Sequence, residues 1–235
     1  MSAIQVIGIQ IAQPKTYGSD HAADPMSRTW NTAFFKDPVT GPVAVTPSGL
    51  EGDGQADPVH HGGADKAICV YPAEHYESWE HELGIALSHA AFGENFTTLG
   101  MMETDVCIGD VFSCGEVSVQ ISQPRQPCWK LARRWRIKDL AARVDRTGKS
   151  GWYFRVLGNG FTQAGDVFKL VQRVHPEWTV ASANEVMHHR RKDLIAANAL
   201  AQCQALSASW RSSLQQRVAS GEASNADIRL QGPNG

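Results

Sequence analysis

Residues Gly109–Leu131 read GDVFSCGEVSVQISQPRQPCWKL. Val117, Val119 and Ile121 alternate with polar residues, the period of a strand with one face in a core. The strand pattern then runs into two prolines, Pro124 and Pro127. Cys128 follows the second directly, with Arg125 on one side and Lys130 on the other. A structural cysteine usually sits among apolar neighbours on a strand, as Cys69 does in AICVY. This one sits in a stiff loop among cations.

Outward from this stretch, residues 1–175 hold more short runs of the same kind: IQVIGIQI, GPVAVT, KAICVY, WYFRVL and DVFKLV. Glycines, prolines and Asp-Gly turns separate them, which predicts a mainly β fold, a barrel or sandwich of antiparallel strands. Gly109-Asp110 and Gly165-Asp166 both precede an alternating run and read as equivalent hairpin entries. A helix over 73–83 places Tyr76, Trp79 and Leu83 on one face. A second is predicted from Trp129 to Val144, interleaving Leu131, Trp135, Leu140 and Val144 with basic residues.

From 182 to 220 the strand pattern is gone. Ser182 and Glu185 fit a capping box, and Leu206, Trp210, Leu214 and Val218 form one apolar helix face. The expectation is a β domain over 1–175, a bundle of two or three short helices over 182–220, and a disordered tail over 221–235.

The 235 residues are 42% hydrophobic and 20% charged, with no bilayer-length apolar run. The start, MSAIQVIGIQIAQPK, reads as a first strand and lacks the features of a secretory signal. The expected compartment is cytoplasmic, without membrane attachment. Five scattered cysteines with no C-x-x-C pair argue against a disulfide framework and a structural zinc site. Net charge is −2, but Arg125–Arg155 holds ten Lys/Arg against two acids, +8, leaving −10 elsewhere. Such a segment attracts phosphate or a phosphorylated cofactor; a solvated helix face reads equally well from charge alone. GNGFTQAG lacks the strand–loop–helix setting of a dinucleotide fingerprint.

Free thiols titrate near about 8.5, and neighbouring cations favour the thiolate. Cys128 can therefore serve as a nucleophile with a histidine base, or as a soft-metal ligand. A zinc held by one thiolate needs further protein ligands, which the spacing does not supply. A metal carried by its own organic ligand needs only the one. In GDGQADPVHHGGADKAICVY, the glycine pair with His61 and Lys66 can cradle an anion, or simply form a capped turn.

Taken together, FFKDPVTGPVAV, GLEGDGQAD, HHGGADKAICVYPAEHY, FGENFTTLG, PRQPCWKL and GWYFRVLGNGFTQAGD resemble the MOSC domain family over roughly 1–175. The likeness is to its stand-alone bacterial YiiM-type branch, whose three-helix extension 182–220 resembles. The resemblance implies a β-barrel that binds molybdenum cofactor, a pterin with an anionic phosphate and a dithiolene that holds the metal. It implies Cys128 as the metal-bearing and catalytic thiolate, with Arg125 and Lys36 toward the phosphate or pterin. Thr32, His61, Gly62, Gly63, Asn95 and Arg155 are implied around them. The implied activity is reduction of N-hydroxylated substrates, such as hydroxylaminopurine bases, to amines, in detoxification. No nicotinamide motif or cysteine cluster is present, so a separate flavin-containing reductase is expected to bring electrons, with 182–220 as one landing surface unless its Leu206–Trp210–Leu214 face packs on the barrel or on a second subunit. A homodimer is compatible with this reading, and nucleic acid is not an expected partner. A non-catalytic cofactor carrier and a thiol enzyme acting through Cys128 are the alternatives.

Overall fold

The computed structural model describes residues 4–223 and 225–232. Its centre is an eight-stranded mixed sheet. In spatial order the strands are Lys169–Gln172, Val111–Cys114, Val117–Pro124, Trp152–Gly158, Ile68–Pro72, Phe96–Leu99, Gln5–Ile11 and Asp37–Pro38. The sheet curls until its ends meet. Val167 bridges Gln5, and the amides of Val6 and Phe168 donate to the carbonyls of Asp166 and Ile4 at 3.0 and 2.8 Å. Val117, Val119 and Ile121 point inward and are buried, as their alternation requires.

The two Gly-Asp turns are indeed equivalent. Gly109 and Gly165 both have positive φ, at 86° and 99°. The carboxylates of Asp110 and Asp166 each accept from the amide three residues earlier, Cys107 and Gln163, at 2.8 and 2.9 Å. The strands they launch pair with each other.

One expectation changes. The strands Ile68–Pro72 and Phe96–Leu99 run parallel, which requires a crossover. Residues 73–95 supply it, with a short 3-10 turn and the helix Tyr76–Leu83. Tyr76 and Trp79 are buried on the predicted face. The crossover returns through Ala90, at φ 68°, where Glu94 gathers the loop. Its buried carboxyl accepts from the amides of Ala90 and Phe92 and the Thr97 hydroxyl at 2.7, 3.1 and 3.1 Å, and also from Tyr76 Oη.

The helix expected from 129 to 144 is two, Lys130–Trp135 and Leu140–Thr147. Arg136 turns left-handed at φ 58° and breaks the run, while Leu131, Leu140 and Val144 still reach one core. The extension opens at Val180 with Thr179 as its cap: Ser182 N donates to Thr179 Oγ1 at 3.0 Å, so Ser182 is the capped residue and not the cap. The helices Leu194–Ala201 and Ala208–Ser220 follow.

Leu206, Trp210 and Leu214 are buried in the same apolar cluster as Ile121 and Trp152 of the barrel. That face packs on its own barrel and is not free to receive a partner. The tail expected to be disordered contains a helix, Asp227–Gln231, with Leu230 against the second core cluster; residues 233–235 lie outside the described residues.

Glu94→Ala leaves several buried donors without an acceptor, at roughly 1–3 kcal/mol each and not additively. A loss of about 3–5 kcal/mol in urea unfolding is expected. A change below about 1 kcal/mol would mean the crossover does not depend on Glu94.

Candidate functional site

Where the barrel's parallel pair meets the loop after Pro124, a cleft of about 560 Å³ opens. Thr32, Lys36, His61, Asn95, Arg125 and Cys128 all line it, so six of the expected site residues from four separate stretches converge. A larger cavity of about 1210 Å³ adjoins it, bounded by Gln123, Gln126, Trp129 and the C-terminal helices. Cys128, His61, Lys66 and Tyr153 line both. They form the wall between an inner and an outer chamber.

The local sequence explains each placement. Pro124 pairs with Trp152 at the end of the central ladder, and the Arg125 amide bonds the Gly151 carbonyl at 3.0 Å. This turns the Arg125 side chain inward. Its Nη2 donates to the Phe92 carbonyl at 2.5 Å, while Nη1 is buried with no partner among the described residues. No carboxylate among the described residues pairs with it. Burial works against the charge, but Cys69, Tyr153, Cys128 and Glu94 outweigh it and raise the guanidinium's pKa.

Asp57 caps the short helix Pro58–His61, accepting from the His60 amide at 3.1 Å. Adjacent helical residues point about 100° apart, so the doublet splits. His60 turns out to Asp57 at 3.0 Å. His61 turns in, with Nε2 3.9 Å from Cys128 Sγ. Burial first, then Lys130, lowers its pKa from 6.5 to about 3, so His61 is neutral at physiological pH.

Asp53 is the residue that sequence reasoning missed. Its carboxylate accepts from Lys36 Nζ, from Asn95 Nδ2 at 2.8 Å and from the Ala12 amide at 2.8 Å. Asn95 in turn accepts from the Cys69 amide at 3.1 Å and donates to the Gln10 carbonyl at 3.2 Å. Asn95 is thus a buried bracket across the cleft floor, and Lys36 reaches the cleft already paired. The only signal for Asp53 was an acid in a Gly-Asp-Gly turn without a local partner. Tyr153 and Cys69 also line the cleft; an alternating strand pattern alone marks them as core. Burial raises the pKa of both groups.

Three expected residues lie outside the lining. Arg155 is held by Asp65 at 2.7 Å and by Gln120 at 3.0 Å. Gly62 packs against the Pro58 carbonyl, and Gly63, at φ 92°, turns the chain toward the strand. Most of the basic segment is likewise spent on structure. Arg133 lies over Trp30 and Trp129 and bonds the carbonyls of Arg28 and Pro25, while Arg136 pairs with Asp24 and Arg143 with Asp139. Of its ten cations, Arg125 and Lys130 line the inner cleft.

Among the described residues, no three His, Cys, Asp or Glu side chains gather as a metal site. No helix among them is long and apolar enough to cross a membrane.

The chain matches the MOSC domain family over residues 57–169 and the YiiM-like 3-alpha helix domain over 178–221. A Bacillus subtilis protein named YflK is 43% identical over 212 residues, 90% of this chain and 93% of that one. A Gibberella moniliformis protein named Reductase is 36% identical over 176 residues, 73% of this chain but 31% of its own length. The crystal structure of YiiM from Geobacillus stearothermophilus superposes with a TM-score of 0.77 at 40% identity, covering 92% of this chain and 99% of that one.

His61 predicts a pH dependence with a definite sign. Unfolded, it takes a proton below 6.5; folded, it resists until about 3. The unfolded state therefore binds more protons in that window, and stability falls as pH drops through it, by at most about 1.4 kcal/mol per unit. Replacing His61 with Asn should flatten unfolding free energy between pH 6.5 and 4 and leave it little changed with pH above 7. An unaltered slope would place the acid sensitivity elsewhere, His188 being the next group with a lowered pKa.

Proposed function

Because the chain belongs to the MOSC domain family, in the branch with the YiiM-like three-helix extension, we propose that it is a molybdenum-cofactor-dependent reductase of N-hydroxylated compounds such as hydroxylaminopurine-type bases. MOSC domains as a class are associated with that cofactor. The observation that carries the reading is the buried Arg125 Nη1, which has no partner among the described residues, in a cleft that also holds a thiol. An unpaired buried cation is costly, and an anionic ligand relieves that cost. The residues fit the group: Cys128 would hold the metal, and Arg125 and Lys130 would face the phosphate or pterin. Thr32, Lys36 and Asn95 would close the floor.

When bound, the cofactor supplies the two-electron chemistry. Reduction of R–NHOH to R–NH2 and water also consumes two protons. Lys66 and Tyr153 carry protons at Nζ and Oη on the wall shared by the chambers. Burial lowers the Lys66 pKa, which eases release of its proton, and raises that of Tyr153.

A separate flavin-containing reductase would refill the site. The chain shows no strand–GxGxxG–helix unit and no clustered cysteines. The relative named Reductase has most of its length outside the matched region, room for such a module. A cofactor carrier would use the same cleft and differs only in lacking turnover. The 3.9 Å approach of Cys128 to His61 is the observation that favours a thiol-nucleophile reading. Such a base is normally oriented by a third group, and the ring makes no other hydrogen bond among the described residues.

Protein from a cofactor-competent host should contain molybdenum and reduce a hydroxylamine substrate with an artificial reductant or an added flavoreductase, but not with NAD(P)H alone. Cys128→Ser should lose metal and turnover together at an unchanged melting temperature. Full metal content in that variant would end the proposal. Arg125→Ala should weaken cofactor retention roughly ten- to a hundredfold, the worth of a charge-assisted bond. Unchanged retention would move the anion site elsewhere.

A further inference from the structure

The loop that carries Cys128 is gripped by a residue about a hundred positions later. The Trp129 amide donates to the Arg229 carbonyl at 2.8 Å. Arg229 Nη1 donates to the Pro127 carbonyl at 2.5 Å, and Nη2 to Asp145 Oδ1 at 2.9 Å. One side chain and its own backbone thus hold the chain on both sides of Cys128. Pro127 has no amide, so its carbonyl is its one backbone handle. Among the described residues, the other bonds to the backbone of Gln126–Trp129 come from the following helix, through Leu131 and Arg133.

The rest of the segment fits the same role. Gly232 packs so close to Trp129 that a Cβ there would stand 3.0 Å from the indole ring. Leu230 anchors in the second core cluster, and Asn225 and Arg229 form part of the outer chamber's wall. Cys128 itself is 8% exposed, so whatever holds this loop also governs access to the thiol.

We propose that Arg229 is a positioning residue: it clamps the Pro127–Trp129 backbone against Asp145 and so fixes Cys128 Sγ between the two chambers, with Asn225–Gly232 as a strap across the outer one. The functional consequence rests on the reading of Cys128 as the metal-bearing thiol. The clamp itself does not, and it is tested without metal.

The test is iodoacetamide alkylation of the full-length, cofactor-free protein, with the rate at each of the five cysteines followed by peptide mass spectrometry. Arg229→Ala should raise the Cys128 rate roughly tenfold, the scale of losing one charge-assisted tie that holds a local segment closed. Rates at Cys69, Cys107, Cys114 and Cys203 should not change. Arg229→Lys keeps the charge but cannot span both acceptors, and should fall between. Asp145→Asn, which loosens the anchor with Arg229 in place, should give a smaller rise at Cys128 alone. An unchanged Cys128 rate in all three variants would overturn the proposal. So would a rise shared by all five cysteines, since that reports loss of the fold. Failure of the molybdenum reading would show instead in the metal content of wild type and Cys128→Ser.

Discussion

Arg125 sets the terms for everything around it. A guanidinium taken out of water keeps its charge and must be satisfied by its surroundings, at several kcal/mol if it is not. Here one arm reaches the Phe92 carbonyl and the other reaches nothing within the described residues. The arrangement persists because the scaffold on either side is rigid. The Arg125 amide is tied to Gly151 at the end of the central ladder, and the Phe92 ring is stacked on Tyr71 with centroids 4.2 Å apart. Glu94, two residues on, closes the crossover loop that presents the Phe92 carbonyl. A core optimised for stability alone would not leave a cation half-served. That deficit is what the proposed anion site rests on.

The same logic of fixed supports runs through the rest of the site. Asp53 consumes part of the donor capacity of Lys36 and Asn95, so those two build the floor of the cleft. Asp57 splits the histidine doublet by capping, and sends one ring to solvent and the other to the thiol. In both cases a carboxylate decides where the cleft-lining groups point.

What could be read in the sequence follows from the range of each interaction. The inward alternation of Val117, Val119 and Ile121, the paired Gly-Asp turns and the Leu206–Trp210–Leu214 face are local patterns, and the structure has them. Cys128, Arg125 and His61 stood out because their residue types were unusual for their local setting. The parallel pairing of Ile68–Pro72 with Phe96–Leu99 and the role of Asp53 depend on partners about 20 to 40 residues away, and no local period encodes them. The break at Arg136 has no glycine or proline to announce it; it is imposed by the need to bring Leu140 and Val144 back to the Leu131 core. The tail misled because its composition is polar, yet one arginine and one leucine suffice to dock it. The run of cations from Arg125 to Arg155 exaggerated the charge facing the site, because stacking on Trp30, Trp129 and Phe35 and pairing with acids absorb most of it.

The two chambers differ in chemistry as well as size. The inner one gathers Arg125, Lys130, Lys66 and Lys36 against Asp53, which suits an anion. The outer one offers the amides of Gln123, Gln126 and Asn225, the hydroxyls of Ser209 and Ser213, and two tryptophans. Asp57, His60, Lys66 and Arg229 add charge of both signs to the same wall. Trp210 adds a buried indole N–H with no partner among the described residues. Ser209, Trp210 and Ser213 all come from the helix Ala208–Ser220, so the barrel alone would leave this chamber open on one side. Two thiols line the inner cleft, Cys69 and Cys128, and of these only Cys128 also borders the outer chamber. Its place in a loop rather than on a strand is what lets its thiol border both.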